Sequence, residues 1–157
     1  MAGLTNTGAK VVFLQDVLQY YPMTMRLWWT NWYASESRGH PGTLQCKRDA
    51  GISYPELGDD ARRGEELAVA RQLIAAGVLT TLRDKPHLYV YVSHGHNTYE
   101  MEHHQMRTNR LGISRRRILR QEVQLRSQLA AFGSALDGVS LVAPNFDGAI
   151  FQISAPD

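Results

Sequence analysis

"VVFLQDVLQYYPMTMRLWWTNWY", Val11 to Tyr33, decides the fold class, because its two halves set the N-terminal part of the chain. In the first half Val11, Leu14, Leu18 and Tyr21 recur at helical intervals, and Pro22 then ends or redirects the chain. In the second half Met25, Trp28, Trp29 and Trp32 form one broad apolar stripe if the segment is helical. Three tryptophans at that spacing read as core. The stretch therefore predicts two short helices.

Beyond it, residues 35–60 are rich in Gly, Pro, Ser and charge and show no periodicity, which reads as a long connection. Asp59 or Asp60 then offers an N-cap, acids follow in the early turns, and Leu67, Ala70, Leu73 and Ile74 form an apolar row before Gly77. That is a helix. "HLYVYVSH", His87 to His94, is ambiguous: its β-branched and aromatic residues alternate and slightly favour a strand. "VSLVAPNFDGAIFQIS" places two β-prone runs around a turn signal and reads as a hairpin, or as an arm docked on a partner.

At 157 residues the chain suits one compact unit, and 43% hydrophobic with 20% charged residues is ordinary for a globular protein. No apolar run approaches the roughly 20 residues that span a bilayer, and no signal peptide is visible, so a cytoplasmic location is expected. The lone Cys46 cannot form an internal disulfide or by itself supply a thiolate zinc site. The net charge of +2 hides a concentration of positive charge. From Gln105 to Arg126 there are seven arginines and one acid, Glu122, a local charge of +6 against −4 for the rest. Such a stripe is either a solvated helix face or the footprint of a polyanion-binding surface.

Its setting favours the second reading. "NTYEMEHHQMRTNRLGISRRRILRQEVQLRSQLAAF" has the grammar of a helix-turn-helix: Tyr99, Met101 and Met106 are apolar positions of a first helix, Leu111 and Ile113 anchor the turn, and Ser114 caps a second helix. Arg117 stands where a capping box wants Glu or Gln, and three arginines in a first turn oppose the helix dipole unless an anion faces them. Turning the second helix by about 100° per residue puts Ile118, Leu125, Leu129 and Phe132 inward. Arg116, Arg120, Gln124 and Ser127 point outward, with Arg117 at the edge. Arginine reads guanine edges bidentately and glutamine adenine edges, so this is the face for a DNA groove. Arg107, Arg110, Arg115 and Arg126 are phosphate candidates, and Ser114 joins the DNA-facing set at the helix start. Leu119, Val123 and Ala130 form a second apolar row that suggests a packing partner within or between chains.

Other chemistry is poorly supported. His94 and His96, or His103 and His104 with Glu100 or Glu102, invite a metal site, but the HExxH spacing is missing and adjacent histidines leave a helix on different faces. No phosphate-cradling glycine motif, nucleophile elbow or paired carboxylates are visible. Asp59 and Asp60 read as an acidic helix start. No enzyme, cofactor or metal is expected.

Taken in order, "LWWTNW", "LGDDARRGEELAVARQL", "LYVYVSHGHNTYEMEHHQM" and "LGISRRRILRQEVQL" resemble the small Q-type late-gene antitermination proteins of lambdoid phages, over Met25 to Phe132. The resemblance implies a tryptophan pair in an N-terminal helix, an Asp-Asp-Ala step opening the next helix, and a helix-turn-helix akin to region 4 of sigma factors. It would make residues 87–94 helical. It further implies a protein of the bacterial host cytoplasm that binds double-stranded DNA near a phage late promoter, loads onto RNA polymerase with its sigma factor, and suppresses pausing and termination. Arg116, Arg117 and Arg120 would lie on the DNA-reading helix. The connection 35–60 and the tail after Gly133 depart from the family pattern.

The expected architecture is thus mainly α and a single domain over 1–157: a helical scaffold over 11–82 with its long loop, a helix-turn-helix over 96–132, and a tail or short β-hairpin over 133–157. One reading helix contacts few bases, so specific binding needs a second copy of the chain or a tether such as polymerase. The rival readings are a helix-turn-helix repressor or activator acting on initiation only, a phage DNA-packaging or replication module, and a histidine-based metalloenzyme.

Overall fold

The computed structural model describes residues 11–47, 51–56, 58, 65–97 and 99–155. Over the described residues the fold is mixed α/β, 37% helical and 23% strand, with two sheets and four helices. It is not mainly α, and the departure begins in Val11 to Tyr33, which forms strands. Val11–Leu14 is strand β1, Asp16–Tyr21 is β2 and Arg26–Asn31 is β3. Every residue from Val11 to Gln19 is buried. A strand covered on both faces is apolar almost throughout and shows no two-residue period, so its chance helical spacing misleads. In β3 the alternation is visible, with Leu27 and Trp29 buried on either side of a half-buried Trp28. Pro22 ends no helix. It opens a tight 3-10 turn, Pro22–Thr24, closed by the left-handed Met25, and the four residues between β2 and β3 bring them back antiparallel as neighbours.

The chain divides into two compact units, residues 11–16 with 32–85, and residues 17–31 with 86–155. In the first, β1 is the centre of a three-stranded sheet, between β4 (Gln45–Cys46), antiparallel to it, and β5 (Leu79–Leu82), parallel to it. β4 and a 3-10 turn at Pro41–Thr43 give structure to the 35–60 connection. A parallel pair needs a crossover, and helix α1 (Glu65–Ala75) lies on it. Glu65 and Glu66 favour its N-terminal dipole. Its end is a Schellman turn: Gly77 has a left-handed φ of 67°, Gly77 N–H donates to Ile74 O, and Val78 N–H to Leu73 O. The proposed caps, Asp59 and Asp60, lie outside the described residues. Val69 and Leu73 of α1 pack on Val11, with Leu44, Ile52, Val78 and Leu79 around them.

The second unit has a five-stranded sheet in the order β6-β2-β3-β7-β8, where β6 is Val90–Val92, β7 Ser140–Val142 and β8 Phe151–Gln152. Residues 87–94 are therefore not helical as the family resemblance implied; after a 3-10 turn at Pro86–Leu88 they pair parallel with β2, Leu18 opposite Val90. The tryptophan helix implied by the resemblance is likewise replaced by β3. β3 and β7 run parallel, and β7 and β8 pair antiparallel with Leu141 opposite Phe151. Between β6 and β7 come three helices, α2 (Met101–Leu111), α3 (Arg115–Arg120) and α4 (Glu122–Ala130). Ile118, Leu125 and Leu129 are fully buried in one cluster with Leu27, Trp29, Leu141 and Phe151. Each such side chain contributes about 1.5–3 kcal/mol by leaving water.

No helix among the described residues is long and apolar enough to cross a membrane.

Candidate nucleic-acid interface

Residues 112–114 separate α2 from α3, the turn length that the expected helix-turn-helix calls for. Its glycine is required by close approach. Gly112 has an ordinary φ of −62°, but a Cβ there would sit 2.5 Å from Pro144 Cγ and 2.7 Å from Thr108 O. The turn is also stitched to β3: Ile113 N–H donates to Trp29 O at 2.8 Å, and Gly112 bridges Thr30. Ser114 holds the N-cap position with extended backbone, and its side chain makes no capping bond. Instead its carbonyl accepts from the N–H groups of Arg117 and Ile118.

What reads in sequence as one second helix is two. At Gln121 the backbone leaves helical geometry, with φ −114° and ψ 11°, and α4 starts afresh at Glu122. The faces nonetheless fall where rotation puts them. Ile118, Leu125 and Leu129 are buried and Phe132 half-buried, whereas Arg116, Arg120, Gln124 and Ser127 are exposed. Leu119 and Val123 are exposed as well, Val123 to 86%.

The arginines separate into two groups. Arg115 lies over the Phe146 ring at 4.7 Å from its centroid, Arg117 over Trp29 at 5.4 Å, and Arg126 over Phe151 at 4.1 Å. Arg126 also pairs with Glu122 at 2.9 Å and donates to Gln152 O. Arg107, half-buried, is engaged too. Arg110, Arg116 and Arg120 are exposed and have no ion pair or ring contact among the described residues. The three stacking rings are residues that sequence reasoning missed. Their only signal is aromatic character, which does not say what covers them.

The anchoring of α2 was missed as well. Of the apolar positions expected to hold it, Met101 is half-buried, but Met106 is 61% exposed and Tyr99 40%. The buried side chains of α2 are polar, His104 and Thr108, one turn apart. Thr108 Oγ1 lies 2.6 Å from the Tyr21 hydroxyl, 3.0 Å from Gln19 Oε1 and 2.8 Å from the His104 carbonyl, and Gln19 Nε2 donates to Ser93 Oγ at 3.1 Å. Burial pushes the Tyr21 phenol above its ordinary value, keeping it a neutral donor. His104 packs its ring 5.3 Å from that of Tyr91, and its Nε2 is buried without a hydrogen-bond partner. Burial first, and then the neighbouring His103 and Arg107, hold its imidazole below the usual value; a hydrogen bond to the Tyr99 backbone opposes them. His103, stacked on Tyr99, is lowered by burial and Arg107.

Among the described residues no three His, Cys, Asp or Glu side chains converge as a metal site. His94 and His96 are exposed, and His94 Nδ1 accepts from the His96 N–H.

The arrangement offers a helical arm whose outward face is cationic, with exposed arginine and glutamine side chains able to bond phosphate oxygens and base edges. No family model matches the chain, and neither does any curated protein or solved structure.

Proposed function

We propose that this protein binds double-stranded DNA through the outward face of α2, α3 and α4, and regulates transcription. The observation that carries the reading is the set Arg110, Arg116 and Arg120, exposed and without partners among the described residues, on a helix-turn-helix arm whose other arginines are engaged. Cationic side chains without partners on one surface favour a polyanion. In this reading Arg116, Arg120 and Gln124 address base edges, and Arg110 holds a phosphate. Arg107, Arg115, Arg117 and Arg126 support the arm, and Ser114 starts its second helix. Action as an antiterminator on RNA polymerase rests on the resemblance of residues 111–125, because the N-terminal helices that resemblance implied are strands.

The test is selection from random duplex DNA by the purified full chain, with Arg116→Ala/Arg120→Ala as control. Enrichment of one motif by the wild type alone is expected, and equal retention of all sequences by both proteins would overturn the reading. Mapping transcripts after induction then separates the two regulatory modes. Extension past terminators from unchanged starts supports antitermination, whereas changed starts with unchanged ends support a regulator of initiation.

A further inference from the structure

A concave site lies in the first unit, independent of the DNA-binding reading. Along β5 and its continuation, Leu79, Thr81 and Arg83 are spaced two apart and share one face of the strand. That face, with Tyr33 and Arg38 from the turn after Trp32 and Ile74 from the end of α1, lines a cleft of about 260 Å³. No acid lines it. Arg83 lies over the Tyr33 ring, 5.6 Å from its centroid, and the next residue is held by the Asp84 N–H donating to Asp16 Oδ2 at 2.8 Å. Glu36, the acid nearest in sequence to Arg38, is taken by Arg71 at 2.7 Å. Neither Arg38 nor Arg83 has a carboxylate partner among the described residues. The carbonyls ending α1 are turned back into its Schellman bonds, which mutes the repulsion a helix C-terminus would offer an anion.

We propose that this cleft binds a small organic phosphate. Two guanidinium groups and a threonine hydroxyl match a phosphate group, to which arginine bonds bidentately. Ile74, Leu79 and the Tyr33 ring offer an apolar wall for the stem that carries it. The volume falls just below the roughly 300–1,000 Å³ of sites for drug-sized ligands, so the stem is about the size of one ring. A dinucleotide is too large.

The test uses the full chain, titrated with phenyl phosphate and separately with inorganic phosphate while backbone amide resonances are followed. Saturable shifts at Gly77, Thr81 and Arg83 are expected, tighter for phenyl phosphate. Arg38→Gly and Arg83→Ala should each weaken binding at least about tenfold. Arg38 has a left-handed φ of 56°, so glycine removes the guanidinium without straining the turn. Arg116→Ala/Arg120→Ala should leave this binding intact, which separates its failure from failure of the DNA reading. Shifts confined to α2–α4, no saturation by either probe, equal affinity for both, or indifference to the cleft variants would each overturn the proposal.

Discussion

The Arg117 guanidinium lies over the Trp29 ring, 5.4 Å from its centroid, and ties the charged second helix of the arm to strand β3. Arg115 and Arg126 sit over Phe146 and Phe151 in the same way. Such contacts contribute about 0.5–2 kcal/mol each, depending on desolvation. Arg115→Ala, Arg117→Ala and Arg126→Ala should therefore lower the midpoint of urea unfolding. Arg116→Ala and Arg120→Ala should leave it unchanged and weaken DNA binding, by about 1–3 kcal/mol for each base contact removed. The same melts and binding isotherms on all five variants decide it, and identical profiles would erase the distinction between the two groups.

Salt dependence separates phosphate contacts from base contacts. Arg110→Ala should weaken binding to every duplex alike and reduce the slope of log affinity against log salt by about 0.9. The slope is read from titrations at several salt concentrations. An unchanged slope would remove Arg110 from the interface.

Gly112→Ala should destabilise the protein by about 1–3 kcal/mol, the usual cost of overpacking. The residue is not held in a glycine-only conformation; the obstacle is the Pro144 ring and the Thr108 carbonyl. Shortening the ring side of that clash tests the cause. Pro144→Ala should recover part of the loss in the double variant, as chemical denaturation would show.

The helical arm was legible because its period survives partial burial: one face meets a core and the other meets water, so Ile118, Leu125 and Leu129 separate cleanly from Arg116, Arg120 and Gln124. The break at Gln121 left no mark, since no glycine or proline announces it. α1 was legible from its apolar row and Gly77. Of the sheets, the β7–β8 hairpin was legible from two β-prone runs around a turn signal, and β6 in part from its alternation; β1, β2 and β3 were not. From Val11 to Gln19 every residue is buried, and a segment covered all round carries no face to read. Its partners β5 and β6 lie more than sixty residues away, and such pairing is invisible to local spacing. The arginine-bearing rings were hidden for the same reason. Trp29 belongs to the apolar stripe of one segment, and only tertiary pairing brings Arg117 over it.

Thr108 joins the Tyr21 hydroxyl, Gln19 and the His104 carbonyl. Thr108→Val keeps the shape and removes the hydroxyl that joins Gln19 Oε1 and the Tyr21 hydroxyl, a cost of about 1–3 kcal/mol. Because these residues anchor α2, amide exchange should accelerate first in Met101–Leu111, ahead of β2 and β3. Uniform acceleration would instead show that the threonine supports global stability only.

His104 gives the arm a pH response whose sign follows from its surroundings. Its Nε2 is buried without a partner, and burial, His103 and Arg107 all disfavour the imidazolium in the folded chain. The unfolded chain takes up the proton near the ordinary value of about 6.5. Below that pH the unfolded state therefore binds more protons than the folded one, so stability falls as pH drops from about 6.5 toward the lowered folded value. Above about 6.5 this group contributes no slope. His103 is shifted in the same direction and adds to the effect. Urea midpoints between about pH 7.5 and 5.5 should show a decline beginning near 6.5, flattened in His104→Leu, where no proton can be bound. Met101–Leu111 amides should lose exchange protection earliest as pH falls, since the charge would appear beneath that helix. A wild-type midpoint that rises on acidification, or an equal decline in His104→Leu, would show that another group governs the acid limb.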